Sequence, residues 1–245
     1  MPPILSAQKL VKAFNGLCAV DGFSFQVRRQ ECFGLLGPNG AGKTTTIKMI
    51  YGALTPTSGE IEVFGLSQKD HLREIKRRLG VVTQKDILEE TVSAWDNLKM
   101  QGRYYGFDKN FLRDRSRYLL DWLQLSERTE EPVFHYSGGM KRRLSIAKGL
   151  LNEPEFLLLD EPTTGLDPQA RHLLWAKLGE LKSKGTSILL TTHYMHEAEF
   201  LCDRLVIIDH GKIIAEGTPK ALIEQYGCKN LEEVFLELTG REFRE

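Results

Sequence analysis

The chain has 245 residues, enough for one large α/β domain or a core domain carrying a subdomain. Its 33 basic and 33 acidic residues cancel, which gives no support to a nucleic-acid binder working through a basic surface. No apolar run approaches the ~20 residues of a bilayer span, and Met1-Pro2-Pro3-Ile4-Leu5 is not a basic-then-apolar leader; the expectation is a soluble chain whose membrane role, if any, runs through a partner.

Residues 4–35 alternate apolar and polar in the stretches Ile4–Val11 and Ala19–Val27, a period of two that predicts antiparallel strands. Glu31–Leu36 is a short apolar run suited to a buried strand. It leads into Gly37-Pro38-Asn39-Gly40-Ala41-Gly42-Lys43-Thr44, which fits the phosphate-loop pattern G-x-x-x-x-G-K-[ST] at every fixed position. Thr45–Ile50 then carries apolar residues at helical spacing. Pro56–Gly59 signals a turn before an alternating strand, Glu60–Phe64, and Leu79–Thr83 reads as a buried strand ending at Gln84. From Thr91 to Leu125 the period is helical, with Trp95, Leu98, Tyr105, Phe111, Leu119, Leu120, Trp122 and Leu123 supplying apolar faces to an inserted helical subdomain.

Strand-like runs return at Phe156–Leu159, Ser187–Leu190 and Leu205–Ile208. They are separated by helical stretches at Met140–Leu151, Ala170–Lys184 and Met195–Cys202. Alternating strands and helices imply a mainly parallel sheet with covered faces. Leu231–Leu238 predicts a terminal helix docked on the core. The basic runs Lys76–Arg78 and Lys141–Arg143 read as solvated helix faces. Cys18, Cys32, Cys202 and Cys228 show no C-x-x-C spacing, and Cys32 reads as a small core residue, so a reducing compartment fits best.

A strand, a glycine-rich loop and a helix together put a phosphate at a helix N-terminus, where free N–H groups and the dipole favour anions. Residues Gly37, Pro38, Asn39, Gly40, Ala41, Gly42, Lys43, Thr44 and Thr45 would therefore hold a nucleoside triphosphate, with Lys43 on its β- and γ-phosphates and the Thr44 hydroxyl on Mg²⁺. A further carboxylate is expected at the end of another buried strand, and Asp160-Glu161 supplies it after Phe156–Leu159. Asp160 is placed on the metal side and Glu161 as general base; the structural alternative is an N-capping carboxylate pair ahead of Pro162. His193, after Ser187–Leu190, could bond a γ-phosphate oxygen, although from spacing alone a structural histidine is the commoner case. His135, His172, His196 and His210 receive only that structural reading.

With these segments in order, the chain resembles the ATP-binding cassette family, the nucleotide-hydrolysing subunits of ABC transporters. Tyr136-Ser137-Gly138-Gly139-Met140 looks like the family's signature motif and Gly165-Leu166-Asp167-Pro168 like its D-loop. His193 is similar to the switch histidine, and Phe14 to the residue that stacks on adenine. Gln84 resembles the Q-loop glutamine, which places it with both the catalytic set and the Mg²⁺ ligands. The resemblance implies a P-loop NTPase core with a mainly parallel sheet and an antiparallel β part (about 4–85 and 136–245), and a helical subdomain at about 86–135, all one nucleotide-binding domain of 1–245. It implies ATP and Mg²⁺ as ligands and a head-to-tail dimer around two ATP, with Ser137, Gly138 and Gly139 of one copy on the γ-phosphate of the other and Asp167 at the interface. A separate integral membrane permease is implied as partner, with this chain peripheral on the cytoplasmic face of the membrane and no nucleic acid bound. Tyr136 stands where leucine is usual, Met140 where glutamine is usual and Phe14 where tyrosine is usual. The methionine form and the tail resemble the branch of ABC-2 type exporters of drugs, polysaccharides or nodulation factors. The alternative is a soluble cassette ATPase acting on nucleic acid or ribosomes, which usually carries paired cassettes, coiled-coil insertions or zinc modules not seen here. A nucleotide-gated module without hydrolysis would be expected to lose Glu161, and a P-loop kinase would not need the Ser137–Gly139 segment.

Overall fold

The computed structural model describes residues 2–85 and 87–240. Met1, Asp86 and residues 241–245, which the ranges 1–245 and 86–135 include, lie outside the described residues.

The chain opens with strands β1 (Leu5–Phe14) and β2 (Leu17–Val27), paired antiparallel. Strand β3 (Cys32–Leu36) is buried at every position and runs into helix α1 (Lys43–Ile50). Then come β4 (Ser58–Val63), the two-residue β5 (Leu66–Ser67), α2 (Gln68–Arg78) and β6 (Leu79–Val82). Helices α3 (Ala94–Tyr105), α4 (Lys109–Trp122) and α5 (Gly138–Gly149) follow without a strand between them. The second half alternates β7 (Phe156–Asp160), α6 (Pro168–Ser183), β8 (Ser187–Thr192), α7 (Met195–Leu201) and β9 (Arg204–Asp209). It ends with β10 (Lys212–Gly217), α8 (Pro219–Tyr226) and α9 (Leu231–Thr239).

Two sheets result: an antiparallel one ordered β2-β1-β4-β5, and a six-stranded one ordered β10-β9-β3-β8-β7-β6, parallel except at β10. In the larger sheet, alternate side chains feed opposite cores. Leu157 and Leu159 of β7 join a cluster with the helical layer, while Phe156 and Leu158 join one with α1 and the antiparallel sheet. Strands β3 and β9 alternate the same way, so the sheet is covered on both faces and its strands read as continuous apolar runs. The inserted helical stretch is two helices because Gly106 adopts a left-handed cap (φ 71°) that ends α3. Asp108 then caps α4 by accepting from the Asn110 and Phe111 amides.

Four of these elements were not expected: α2, β5, β10 and α8. In α2 only Gln68 and Ile75 are buried and in α8 only Leu222, so few apolar residues mark either helix in the sequence. The half-buried β10 lies at a sheet edge, where the apolar signal is weakest.

Candidate active site

Strands β3, β8, β7 and β6 are consecutive neighbours and mutually parallel, so their C-terminal ends share one edge of the sheet. That edge is where open α/β sheets place ligands. The four strands deliver, in spatial order, the loop 37–42, His193, Asp160 with Glu161, and Gln84. Residues spread over more than a hundred positions of sequence thus meet because of strand order alone.

The loop needs its glycines for space. A Cβ on Gly37 would stand 2.3 Å from the Ile208 carbonyl oxygen, and one on Gly42 would stand 2.5 Å from that of Ala19. Gly42 is also left-handed at φ 105° where α1 begins. Ala41 is buried, Pro38 half-buried, and Asn39 and Gly40 are exposed at the tip. Lys43 is buried within the loop, its Nζ donating to the carbonyls of Gly37 (2.8 Å) and Pro38 (3.1 Å) and lying 3.4 Å from Glu161 Oε1. Burial lowers the Lys43 pKa, and the carboxylates of Glu161 and Asp160 only partly offset it. Thr44 and Thr45 are half-buried on the first turn.

Thr44 Oγ1 donates to Asp160 Oδ1 at 3.0 Å, and Thr191 Oγ1 donates to the same oxygen at 2.6 Å. The hydroxyl and carboxylate so joined are hard oxygen donors of the kind Mg²⁺ takes alongside substrate phosphates, so these residues fit that ion. Glu161 is almost fully buried and takes a left-handed backbone at φ 48°, uncommon for a residue with a side chain. Its amide donates to both Thr191 O (3.1 Å) and Thr191 Oγ1 (3.0 Å), which holds that conformation. Gln84 Nε2 donates to Glu161 Oε2 at 2.9 Å, and Thr164 Oγ1 reaches the same oxygen at 3.3 Å. His193 Nδ1 lies 3.2 Å from Glu161 Oε1, close enough for charge coupling although the geometry falls short of a hydrogen bond. Burial pushes the Glu161 carboxyl up, but Lys43 and His193 outweigh it and hold the pKa below the ordinary carboxylate range. The arrangement can therefore present an ionised, oriented carboxylate beside a phosphate-binding loop.

The remaining sequence-selected residues lie outside this hydrogen-bonded cluster. Phe14 ends β1 with its ring 43% exposed and the Lys12 ammonium 5.1 Å from the ring centre. Ser137 caps α5 through the Met140 amide, and with Gly138 it is exposed; among the described residues no hydrogen bond joins Ser137, Gly138 or Gly139 to residues 37–45. Asp167 is exposed and caps α6, accepting from the Ala170 amide at 2.8 Å. The unusual Tyr136 is buried, its hydroxyl donating to the Arg128 carbonyl at 2.6 Å, so the aromatic substitute is both packed and satisfied.

One sequence expectation is overturned here. Lys141–Arg143 is not a solvated face, because Arg142 is buried and donates to the backbone carbonyls of Pro162, Thr83, Asp160 and Glu161 at 2.6–3.0 Å. Its neighbours are engaged as well: Lys141 pairs with Glu90 at 2.7 Å, and Arg143 donates to the Leu123 and Gln124 carbonyls. Thr191 was also missed, although two threonines closing an apolar strand just before a histidine were a visible signal.

The profile of the ABC transporter family matches residues 20–164. A Nod factor export ATP-binding protein I of Ralstonia nicotianae is 48% identical over 231 residues, which is 94% of this chain and 72% of the relative. Among solved structures, an ATP-binding subunit of an ABC transporter aligns with a TM-score of 0.87 at 34% identity, covering 96% of this chain and 99% of that one. The cbiO1 protein of Clostridium perfringens, part of the ABC transporter complex cbiONQ, aligns at 0.83 with 27% identity over 92% of each chain.

Proposed function

The chain belongs to the ABC transporter family as an ATPase subunit, and from that premise we propose that two copies close around two ATP molecules and drive export through a separate membrane permease. The observation that carries this reading is the convergence of Lys43, Thr44, Asp160, Glu161, Gln84 and His193 on one sheet edge. In this reading backbone amides within residues 39–45 and the Lys43 ammonium bind the phosphates, and the Phe14 ring stacks on adenine. Thr44 and Asp160, with Gln84, hold Mg²⁺, which when bound neutralises phosphate charge. Glu161 accepts a proton from the attacking water, and His193 bonds the γ-phosphate. Lys43 now pairs with Glu161; turning to the phosphates, it would withdraw that cation and leave the carboxylate more basic when the water needs it.

Ser137, Gly138, Gly139 and Asp167 are exposed or half-exposed at helix starts, as residues meant to meet a second copy would be. In this reading, nucleotide state acting through Gln84 moves the helices of about 86–135 against the permease. Beside them Val82, Thr83, Lys85, Ile87, Tyr104 and Tyr105 line a groove in which Ile87 and Tyr104 are largely exposed, and this is the surface we assign to the permease. No helix among the described residues is long and apolar enough to cross a membrane. The reading as a permease's ATPase subunit places the chain peripherally, on the cytoplasmic face. The alternative of a cassette acting on nucleic acid has no support from the relatives, which are named for export.

Two variants test the chemistry. Lys43→Ala should lose ATP hydrolysis, and Glu161→Gln should bind ATP yet hydrolyse it about 10²–10⁴-fold more slowly. Hydrolysis at the normal rate by Glu161→Gln would remove the base assignment. Tagged Glu161→Gln protein recovered from native membranes with ATP should bring a multi-span membrane protein in stoichiometric yield; recovery with ribosomes or nucleic acid alone would overturn the transporter reading.

A further inference from the structure

Arg142 sits on the first turns of α5, the helix whose cap is Ser137, and its side chain is buried. Its Nε donates to Pro162 O at 2.8 Å. Nη1 donates to Thr83 O at 2.6 Å and reaches Gln84 O at 3.5 Å, while Nη2 donates to Asp160 O at 2.9 Å and Glu161 O at 3.0 Å. These carbonyls belong to two segments: the one after β6 that carries Gln84, and the one after β7 that carries Glu161. A guanidinium presents five N–H donors in a rigid planar fork, so one side chain can bind both segments at fixed relative positions, which a lysine cannot.

The backbone it grips includes a strained point. Glu161 at φ 48° is in a conformation that persists only when its surroundings over-determine it. Thr191 holds its amide and Arg142 holds its carbonyl, so the two clamp the residue from opposite strands and layers. Moving α5 against these loops would leave buried carbonyls or a buried cation without partners, which opposes the movement.

We propose that Arg142 is a positioning residue that couples the helix presenting Ser137 to the backbone aiming Gln84 and Glu161. Resting on the dimer reading above, it follows that when nucleotide on the partner copy engages Ser137, Arg142 carries the position of α5 to the catalytic pair of its own copy. Neither the signature segment nor the catalytic carboxylate touches the other; the guanidinium is the link between them.

The test uses the full chain with Arg142→Lys and Arg142→Gln, their melting curves, binding of a fluorescent ATP analogue, and steady-state hydrolysis. Because the phosphate loop is untouched, analogue affinity and KM should stay within about twofold while kcat falls about ten- to a hundredfold, the cost of a catalytic group misplaced by about 1 Å. In a Gln84→Ala background the loss from Arg142→Lys should shrink, since part of it acts through Gln84. Arg142→Lys retains the cation and folds even where the neutral variant does not. A folded Arg142→Lys with normal kcat overturns the proposal, as does a loss that falls on KM and analogue affinity in step with lowered melting temperature. Absence of hydrolysis in the unmodified chain would instead overturn the ATPase reading, so the two failures are distinct.

Discussion

Glu197, four residues after His193, is fully buried, with Trp175 Nε1 donating to its Oε1 at 3.2 Å and its Oε2 without a hydrogen-bond partner. Burial raises its pKa, and the nearby threonines, Trp175 and Arg171 do not offset that. The sign follows from linkage: with a folded pKa above the ordinary ~4.3, its contribution to stability is fully present below that value and is lost as pH rises through the folded pKa. Glu197→Gln keeps the acceptor for Trp175 and has no charge to bury. Its melting temperature should therefore exceed that of the unmodified chain at pH 8 by more than at pH 5. Each unit of raised pKa is worth about 1.4 kcal/mol, or about 3–6 °C in a chain of this size. A gap equal at both pH values would mean that Glu197 is ionised and paired. At this scale the sequence revealed the residues that belong to contiguous patterns, such as Lys43, Thr44, Asp160 and Glu161. It hid Arg142 and Glu197, whose roles come from partners on other elements: a buried arginine looks like a solvated one until the carbonyls of Thr83 and Pro162 are brought to it.

Among the elements, those with complete apolar strips were legible. β3, β7 and β8 are buried at every position, whereas α3 and α4 were legible only as one helical stretch, which the caps Ser93, Gly106 and Asp108 divide in the structure. Asp108→Ala removes an N-cap and should lower the melting temperature by a few degrees with ATP hydrolysis retained. A deeper loss is expected inside the sheet. Leu158 is fully buried in the cluster shared with α1, so Leu158→Ala should cost about 2–5 kcal/mol and show early chemical unfolding. If the two variants proved equally mild, the cluster between α1 and the antiparallel sheet would not be the close-packed core described. Elements such as α8 and β10 escaped detection because their burial is shared with neighbours: Gly217 of β10 packs closely on Leu222 of α8, and neither strip is apolar enough alone.

For the molecule as a whole, the proposed two-copy site turns on one observation: among the described residues no hydrogen bond joins Ser137, Gly138 or Gly139 to the phosphate loop of the same chain. If each site takes its loop from one copy and Ser137–Gly139 from the other, two inactive variants should restore activity when mixed. Lys43→Ala disables the loop. Gly138→Asp disables the signature segment by placing a carboxylate where phosphate would bind, and it does so without steric cost, since a Cβ at Gly138 meets nothing within 4 Å. A mixed dimer has one site in which both defects fall together and one in which neither does. Random assortment makes half the dimers mixed, so a one-to-one mixture should recover about a quarter of the unmodified rate when sites act independently, and less when both must be loaded. Each variant alone should stay near background. No recovery at any ratio, with both variants folded and Gly138→Asp still binding ATP, would overturn the reading in which one intact site shared between two copies is enough for turnover.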